Sequence, residues 1–166
     1  ATDEWLQDYD TNARVNPPLR TEADRLALIE ALKDGTIDCI ATDHAPHHAD
    51  DKNVEFALAA SGISGFETAF ALCWTALVKP GLMTPEQVLD KLTRAPARVL
   101  GLDAGTIEVG KRADVTVIDP RAEWTVDPAQ FRSRGKNTPF TGHTLTGAIC
   151  YTFLEGRPVY EGSECR

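Results

Sequence analysis

The run Ile37-Asp38-Cys39-Ile40-Ala41-Thr42 constrains this chain more than any other feature. It is short, largely apolar, and lies between a helical pattern and a polar loop. Such a run between helices reads as a buried strand of a parallel sheet. It ends in Asp43-His44-Ala45-Pro46-His47-His48. In sheets and barrels of this class the functional face lies at the carboxyl ends of the strands. A carboxylate in that position binds a divalent cation, acts as a general base, or does both. The plainer alternative is an Asp43 that caps a turn beside solvated histidines.

The flanking sequence supports an α/β assignment. Asn16-Pro17-Pro18-Leu19-Arg20 is stiff and extended, because two consecutive prolines forbid helix. Thr21 then caps a helix, with Asp24 in the place of the capping-box acid. Leu26, Ile29, Ala31 and Leu32 follow at helical spacing, and Gly35 is a stop. Beyond the His-rich loop, Phe66, Ala69, Phe70, Cys73, Trp74 and Leu77 form one broad helical face. Thr84-Pro85-Glu86-Gln87 opens a helix to about Leu92, and a short helix over Pro96 to Leu100 ends at Gly101. After Gly101 the pattern changes to short strands at 105–110 and 113–119. A hairpin over Ala148 to Leu154 and Arg157 to Tyr160 turns at Glu155-Gly156. Residues 1–100 therefore read as α/β-barrel or doubly wound material, and residues 101–166 as a small β-sandwich segment.

Charge narrows the partners. The chain carries 17 Lys and Arg against 25 Asp and Glu, a net of −8. Residues 1–100 hold 9 basic and 16 acidic side chains, a net of −7. No basic stripe is available for phosphates, so nucleic acid is not an expected partner. No apolar run approaches the roughly 20 residues of a membrane span, so no membrane partner is expected either. The four cysteines, Cys39, Cys73, Cys150 and Cys165, are widely spaced and lack a C-x-x-C pair. They are expected to be reduced, as in a cytoplasmic compartment. The only methionine is the internal Met83, and the chain opens at Ala1, as expected of a trimmed chain or a fragment.

Metal arithmetic sets a limit. A catalytic zinc site wants three or more protein ligands and an open position. Asp43, His44, His47 and His48 are close neighbours on a proline-containing loop, and such neighbours rarely converge on one ion. Either the site is absent or its other ligands lie outside this chain.

Taken with Asn16-Pro17-Pro18-Leu19-Arg20, the stretch Thr42-Asp43-His44-Ala45-Pro46-His47 resembles the class I dihydroorotases of the amidohydrolase superfamily. Gly62-Ile63-Ser64-Gly65-Phe66-Glu67-Thr68, Arg94-Ala95-Pro96-Ala97-Arg98, Gly110-Lys111-Arg112-Ala113-Asp114 and Lys136-Asn137-Thr138-Pro139-Phe140 follow in the family's order and at its spacings. The resemblance covers essentially the whole chain and is specific only as a set.

The resemblance implies the C-terminal portion of a (β/α)8 TIM-type barrel, with strand 8 at about 37–43, followed by part of a β-sandwich. It implies a two-zinc enzyme that interconverts L-dihydroorotate and N-carbamoyl-L-aspartate in pyrimidine synthesis. On that template Asp43 ligates one zinc and passes a proton from the attacking water to the amide nitrogen. His47 and Asn16 hold substrate, and Ser61 and Gly62 supply loop contacts, although Ser61 stands where Phe is common. His44 and His48 are expected to be structural or exposed. Arg20 is expected to fix its loop by a salt bridge, and Lys136 belongs to a packed turn. The family's His-x-His, its bridging acid or carboxylated lysine and its two later histidines have no counterpart here, so the fragment alone is expected to be inactive.

Two rivals stand beside this reading. One is another cyclic amidohydrolase, of the allantoinase or dihydropyrimidinase type, which usually lacks a histidine at the position of His47. The other is a non-catalytic dihydroorotase-like partner of aspartate transcarbamoylase. The resemblance leaves open a homodimer and an aspartate transcarbamoylase complex.

Overall fold

Thr21 opens helix α1 (Glu22–Asp34) with the reciprocal cap read from the sequence. The Thr21 amide donates to Asp24 Oδ2 at 3.2 Å, and the Asp24 amide donates to Thr21 Oγ1 at 3.3 Å. Only Ile29 of the expected apolar face is buried; Leu26 and Leu28 are exposed. The computed structural model describes residues 1–162. The chain divides into two units. One holds residues 1–31, 42–69 and 125–143; the other holds residues 32–41, 70–124 and the chain from Thr144.

In the first unit the His-rich loop leads into α2 (Ala49–Lys52), a single turn. Its interior holds Ala13, Ile29, Ala59, Val126 and Phe131, but also Lys52, Ser64, Thr68, Asn137 and Thr138. With Thr2 these make six buried polar side chains among the unit's described residues, and they demand partners, because an unpaired buried donor or acceptor costs about 1–3 kcal/mol. Those partners build the site described below.

In the second unit α3 (Ala69–Cys73) runs into a π-helical turn, Trp74–Val78, where the Lys79 amide reaches the Trp74 carbonyl at 3.0 Å. The expected helix thus starts three residues after Phe66, whose side chain is exposed rather than part of the apolar face. Helix α4 (Pro85–Leu92) has the full capping box of Thr84 and Gln87, and α5 (Arg94–Leu100) ends at Gly101. Strands β1 (Val115–Thr125), β2 (Thr144–Leu154) and β3 (Arg157–Glu161) form one sheet in the order β1-β2-β3. β2 and β3 are antiparallel, with Leu154 opposite Arg157 and a register shift between Thr152 and Phe153. The indole N–H groups of Trp74 and Trp124 donate to the Pro120 and Gly147 carbonyls, both at 3.1 Å.

Three expectations are modified. Residues 37–43 carry no strand ladder among the described residues; a single parallel bridge joins His44 to Ile63 instead. A ladder needs a neighbouring strand along at least one edge, and the backbone bond of this segment runs instead from the Ile40 amide to the Lys91 carbonyl of α4, 3.0 Å. Residues 105–110 are turns, with Ile107 and Val109 exposed, and not a strand. The fold is therefore an α/β piece with one three-stranded sheet, and no second sheet of a sandwich exists among the described residues. Cys39 and Cys73 are free thiols, whereas Cys150 is disulfide-bonded, so burial did not keep it reduced. Cys165 lies outside the described residues. Among the described residues no helix is long and apolar enough to cross a membrane.

Candidate active site

Asp43 sits at a backbone φ of +45°. A non-glycine residue in the left-handed region is uncommon, and Asp is among the few that tolerate it. The bend sends the chain into the His-rich loop with the Asp43 side chain exposed. The next three histidines then take different roles.

His44 turns inward. Its Nδ1 accepts the Gly65 amide at 3.0 Å and the Phe66 amide at 3.3 Å. Its ring lies flat on Phe66, with centroids 3.8 Å apart and planes at 4°. An Nδ1 that accepts two amides holds its lone pair there, so the ring proton resides on Nε2. His48 caps α2, accepting the Asp50 amide at its Nδ1, 3.2 Å. Both rings thus spend a nitrogen on backbone amides.

His47 joins two loops. Its Nε2–H donates to the Ser61 carbonyl at 3.0 Å, because a carbonyl oxygen can only accept. Gly62 follows at φ +147°, and a Cβ there would stand 2.5 Å from the Ala45 Cβ and 2.9 Å from His47 Nε2. Only glycine lets the two loops approach so closely. The Gly62 amide donates to the Arg14 carbonyl at 3.0 Å, which ties the loop to the segment leading to Asn16. His47, Ser61 and Gly62 are thus brought together. Asn16 is exposed on the adjoining segment, beside a cis bond to Pro17.

Lys52, unremarked in the sequence, and Asn137, noted there only as part of the Lys136–Phe140 motif, complete the cluster. The Lys52 ammonium is buried and donates to the Ala60 carbonyl at 2.7 Å and the Gly62 carbonyl at 3.2 Å. Burial, and then the nearby Arg14 charge, hold its pKa below the ordinary 10.5. Asn137 is buried within the packed Lys136–Phe140 turn. Its Oδ1 accepts the His47 amide and the Ser64 hydroxyl, each at 2.9 Å. Its Nδ2 donates to the Ala45 carbonyl at 3.1 Å and the Gly62 carbonyl at 3.0 Å.

Glu67 lies at the rim. Burial, the largest single influence, raises its pKa, but the hydrogen bonds from Ser133, joined by its own backbone amide and the nearby His44, together hold it below the ordinary 4.5. Its Oε1 accepts the Ser133 amide at 2.8 Å, and its buried Oε2 has no hydrogen-bond partner among the described residues. Arg20 pairs with Asp24 at 3.3 Å on the surface, and the Lys136 ammonium donates to the Phe131 carbonyl.

His47 and Asn137 also line a cleft of about 410 Å3 with Lys52, Arg134 and Lys136. Its charged wall is cationic in a chain of net charge −8, which suits an anionic ligand. Among the described residues no three His, Cys, Asp or Glu side chains are grouped to hold a metal. A metal site needs three or more such ligands, so the Asp43 carboxylate does not make one with its neighbours among the described residues.

The Amidohydrolase family pattern matches residues 8–159, and the chain belongs to that family. Among curated proteins it is 54% identical over 158 residues to the dihydroorotase of Acetivibrio thermocellus, covering 95% of this chain and 37% of the relative. It is 51% identical over 160 residues to the dihydroorotase of Geobacter metallireducens, covering 96% and 38%. Among solved structures it matches the L-hydantoinase (dihydropyrimidinase) of Arthrobacter aurescens with a TM-score of 0.90 and 31% identity, over 97% of this chain and 37% of that one. The chain thus spans little more than a third of the relatives it matches.

Proposed function

We propose that the chain is the C-terminal part of a zinc-dependent dihydroorotase that reversibly hydrolyses L-dihydroorotate to N-carbamoyl-L-aspartate. Residues 1–100 are the closing part of the (β/α)8 barrel, and residues 101–166 are a segment of the β-sandwich. The observation that carries the reading is the convergence of His47, Ser61 and Gly62 on one hydrogen-bonded cluster in the loop that follows the exposed Asp43. Identity of 54% to a curated dihydroorotase supports the same substrate.

Asp43, together with ligands outside this chain, would hold zinc, which when bound would supply an activated water and a polarised ring carbonyl. The Asp43 carboxylate takes a proton from that water and delivers it to the amide nitrogen as the ring opens. His47 and the Ser61–Gly62 backbone grip the substrate, with its carboxylate drawn to the cationic side of the cluster. Asn16 closes on the substrate from the segment tied to Gly62 through Arg14. In this scheme Lys52 keeps the Ala60–Gly62 loop in place from behind.

A hydantoin-directed reading has the fold likeness in its favour, but the identity to a hydantoinase is 31%. Retention of Asp43, His47 and Asn16 argues against a non-catalytic partner. Homodimer formation and association with aspartate transcarbamoylase rest on the resemblance alone. Turnover of L-dihydroorotate, hydantoin and allantoin by the full-length enzyme separates the options: the reading requires dihydroorotate to be strongly preferred.

A further inference from the structure

Asn137 uses its whole side-chain amide. Two acceptor positions take the His47 amide and the Ser64 hydroxyl, and two N–H groups serve the Ala45 and Gly62 carbonyls. Its own carbonyl accepts the Ser64 amide at 2.8 Å. One buried side chain therefore fastens the 45–47 loop to the 62–64 loop, although those loops lie far from it in sequence. Close approach of the backbones reinforces the clamp. A Cβ on Gly135 would stand 2.6 Å from the Pro46 Cβ and 2.8 Å from the His47 amide nitrogen. The single proton of the Ser64 hydroxyl is shared between Asn137 Oδ1 and the Gly135 carbonyl, which lies 2.8 Å away.

The clamped groups are the ones assigned to substrate, whereas none of these bonds reaches Asp43. We propose that Asn137 is a positioning residue that presets His47 and the Ser61–Gly62 backbone for substrate, without a part in the metal-dependent step. Preset donors avoid the cost of ordering loops on binding, so their loss weakens substrate binding first. The proposal rests on the dihydroorotase reading for the identity of the substrate only.

The test uses the full-length enzyme. Asn137→Asp keeps one acceptor oxygen but turns a carboxylate oxygen towards the Ala45 and Gly62 carbonyls. It is expected to raise KM for L-dihydroorotate by about tenfold or more, with kcat within about threefold and metal content unchanged. Val88→Ala, a fully buried α4 position outside the site, controls for lost stability and is expected to leave KM unchanged. Deuterium exchange of the peptides over 44–48 and 61–65 should accelerate in Asn137→Asp and not in Val88→Ala. If Asn137→Asp does not fold, Ser64→Ala removes only the two hydroxyl bonds and should move KM and exchange the same way, by about two- to fivefold in KM. An unchanged KM, or an equal rise in Val88→Ala, overturns the proposal. Wild-type enzyme inactive on dihydroorotate overturns the substrate reading instead, and the exchange measurement then decides the clamp by itself.

Discussion

His44 Nδ1 accepts the Gly65 amide at 3.0 Å while its ring lies 3.8 Å above Phe66. The histidine next to the candidate catalytic acid is thereby spent on holding a loop. Replacing it with Ala removes an acceptor for two amides and a ring stack. The expected cost is about 1–3 kcal/mol, read as a lower denaturation midpoint of the full-length protein. His44→Asn keeps an acceptor near the Nδ1 position and should recover part of that loss.

Gly62 meets both a conformational and a steric demand. Gly62→Ala would place a methyl 2.5 Å from the Ala45 Cβ, at a φ of +147° that side chains avoid. The loops must part, at a cost of order 1–3 kcal/mol, and kcat/KM should fall by about tenfold or more. Steady-state kinetics on the folded variant checks this.

The buried Lys52 ammonium holds the Ala60 and Gly62 carbonyls. Lys52→Met keeps most of the apolar stem but takes the side-chain donor from the Ala60 carbonyl and leaves the Gly62 carbonyl only its Asn137 partner, and is expected to destabilise by about 1–3 kcal/mol. A lowered pKa means that the fold disfavours the charged form. Keeping Lys52 charged therefore carries a penalty, offset by its two carbonyl bonds, that is full below its folded-state pKa and fades as pH rises towards 10.5. Stability curves of the two proteins between neutral and alkaline pH should show the rise in wild type and its loss in Lys52→Met.

Glu67 works in the other direction on the pH scale. Despite burial, the Ser133 hydrogen bonds hold its pKa below 4.5, so its contribution is present above that value and is lost as pH falls below it. Glu67→Gln should flatten the acid side of the stability profile. An unaltered acid limb would contradict the assignment.

Local signals were legible in the sequence because their physics is local. Thr21 with Asp24 and Thr84 with Gln87 close their caps within three residues, and the Glu155-Gly156 turn fixes its hairpin between adjacent strands. The loop that pairs His47 with Ser61 was visible through its motif. The rest was not local. Asn137 reaches His47 across 90 residues, and nothing about an Asn in a turn announces four long-range bonds. Lys52 sits in a polar stretch that looks solvated, yet folding buries it under two carbonyls. The apolar run 37–42 read correctly as apolar, but a ladder depends on neighbours that periodicity does not reveal. Ile107 and Val109 failed as a strand for the same reason: alternation marks a willing strand and says nothing of a partner.

The central claim is that Asp43 is the proton-shuttling acid of a dihydroorotase. Its most direct test is the rate of L-dihydroorotate hydrolysis by the full-length zinc enzyme and by Asp43→Asn. The claim predicts measurable turnover in wild type and a kcat reduced by about 10²- to 10⁴-fold in the variant. Wild-type inactivity on dihydroorotate, or an Asp43→Asn enzyme that keeps its kcat, would contradict it.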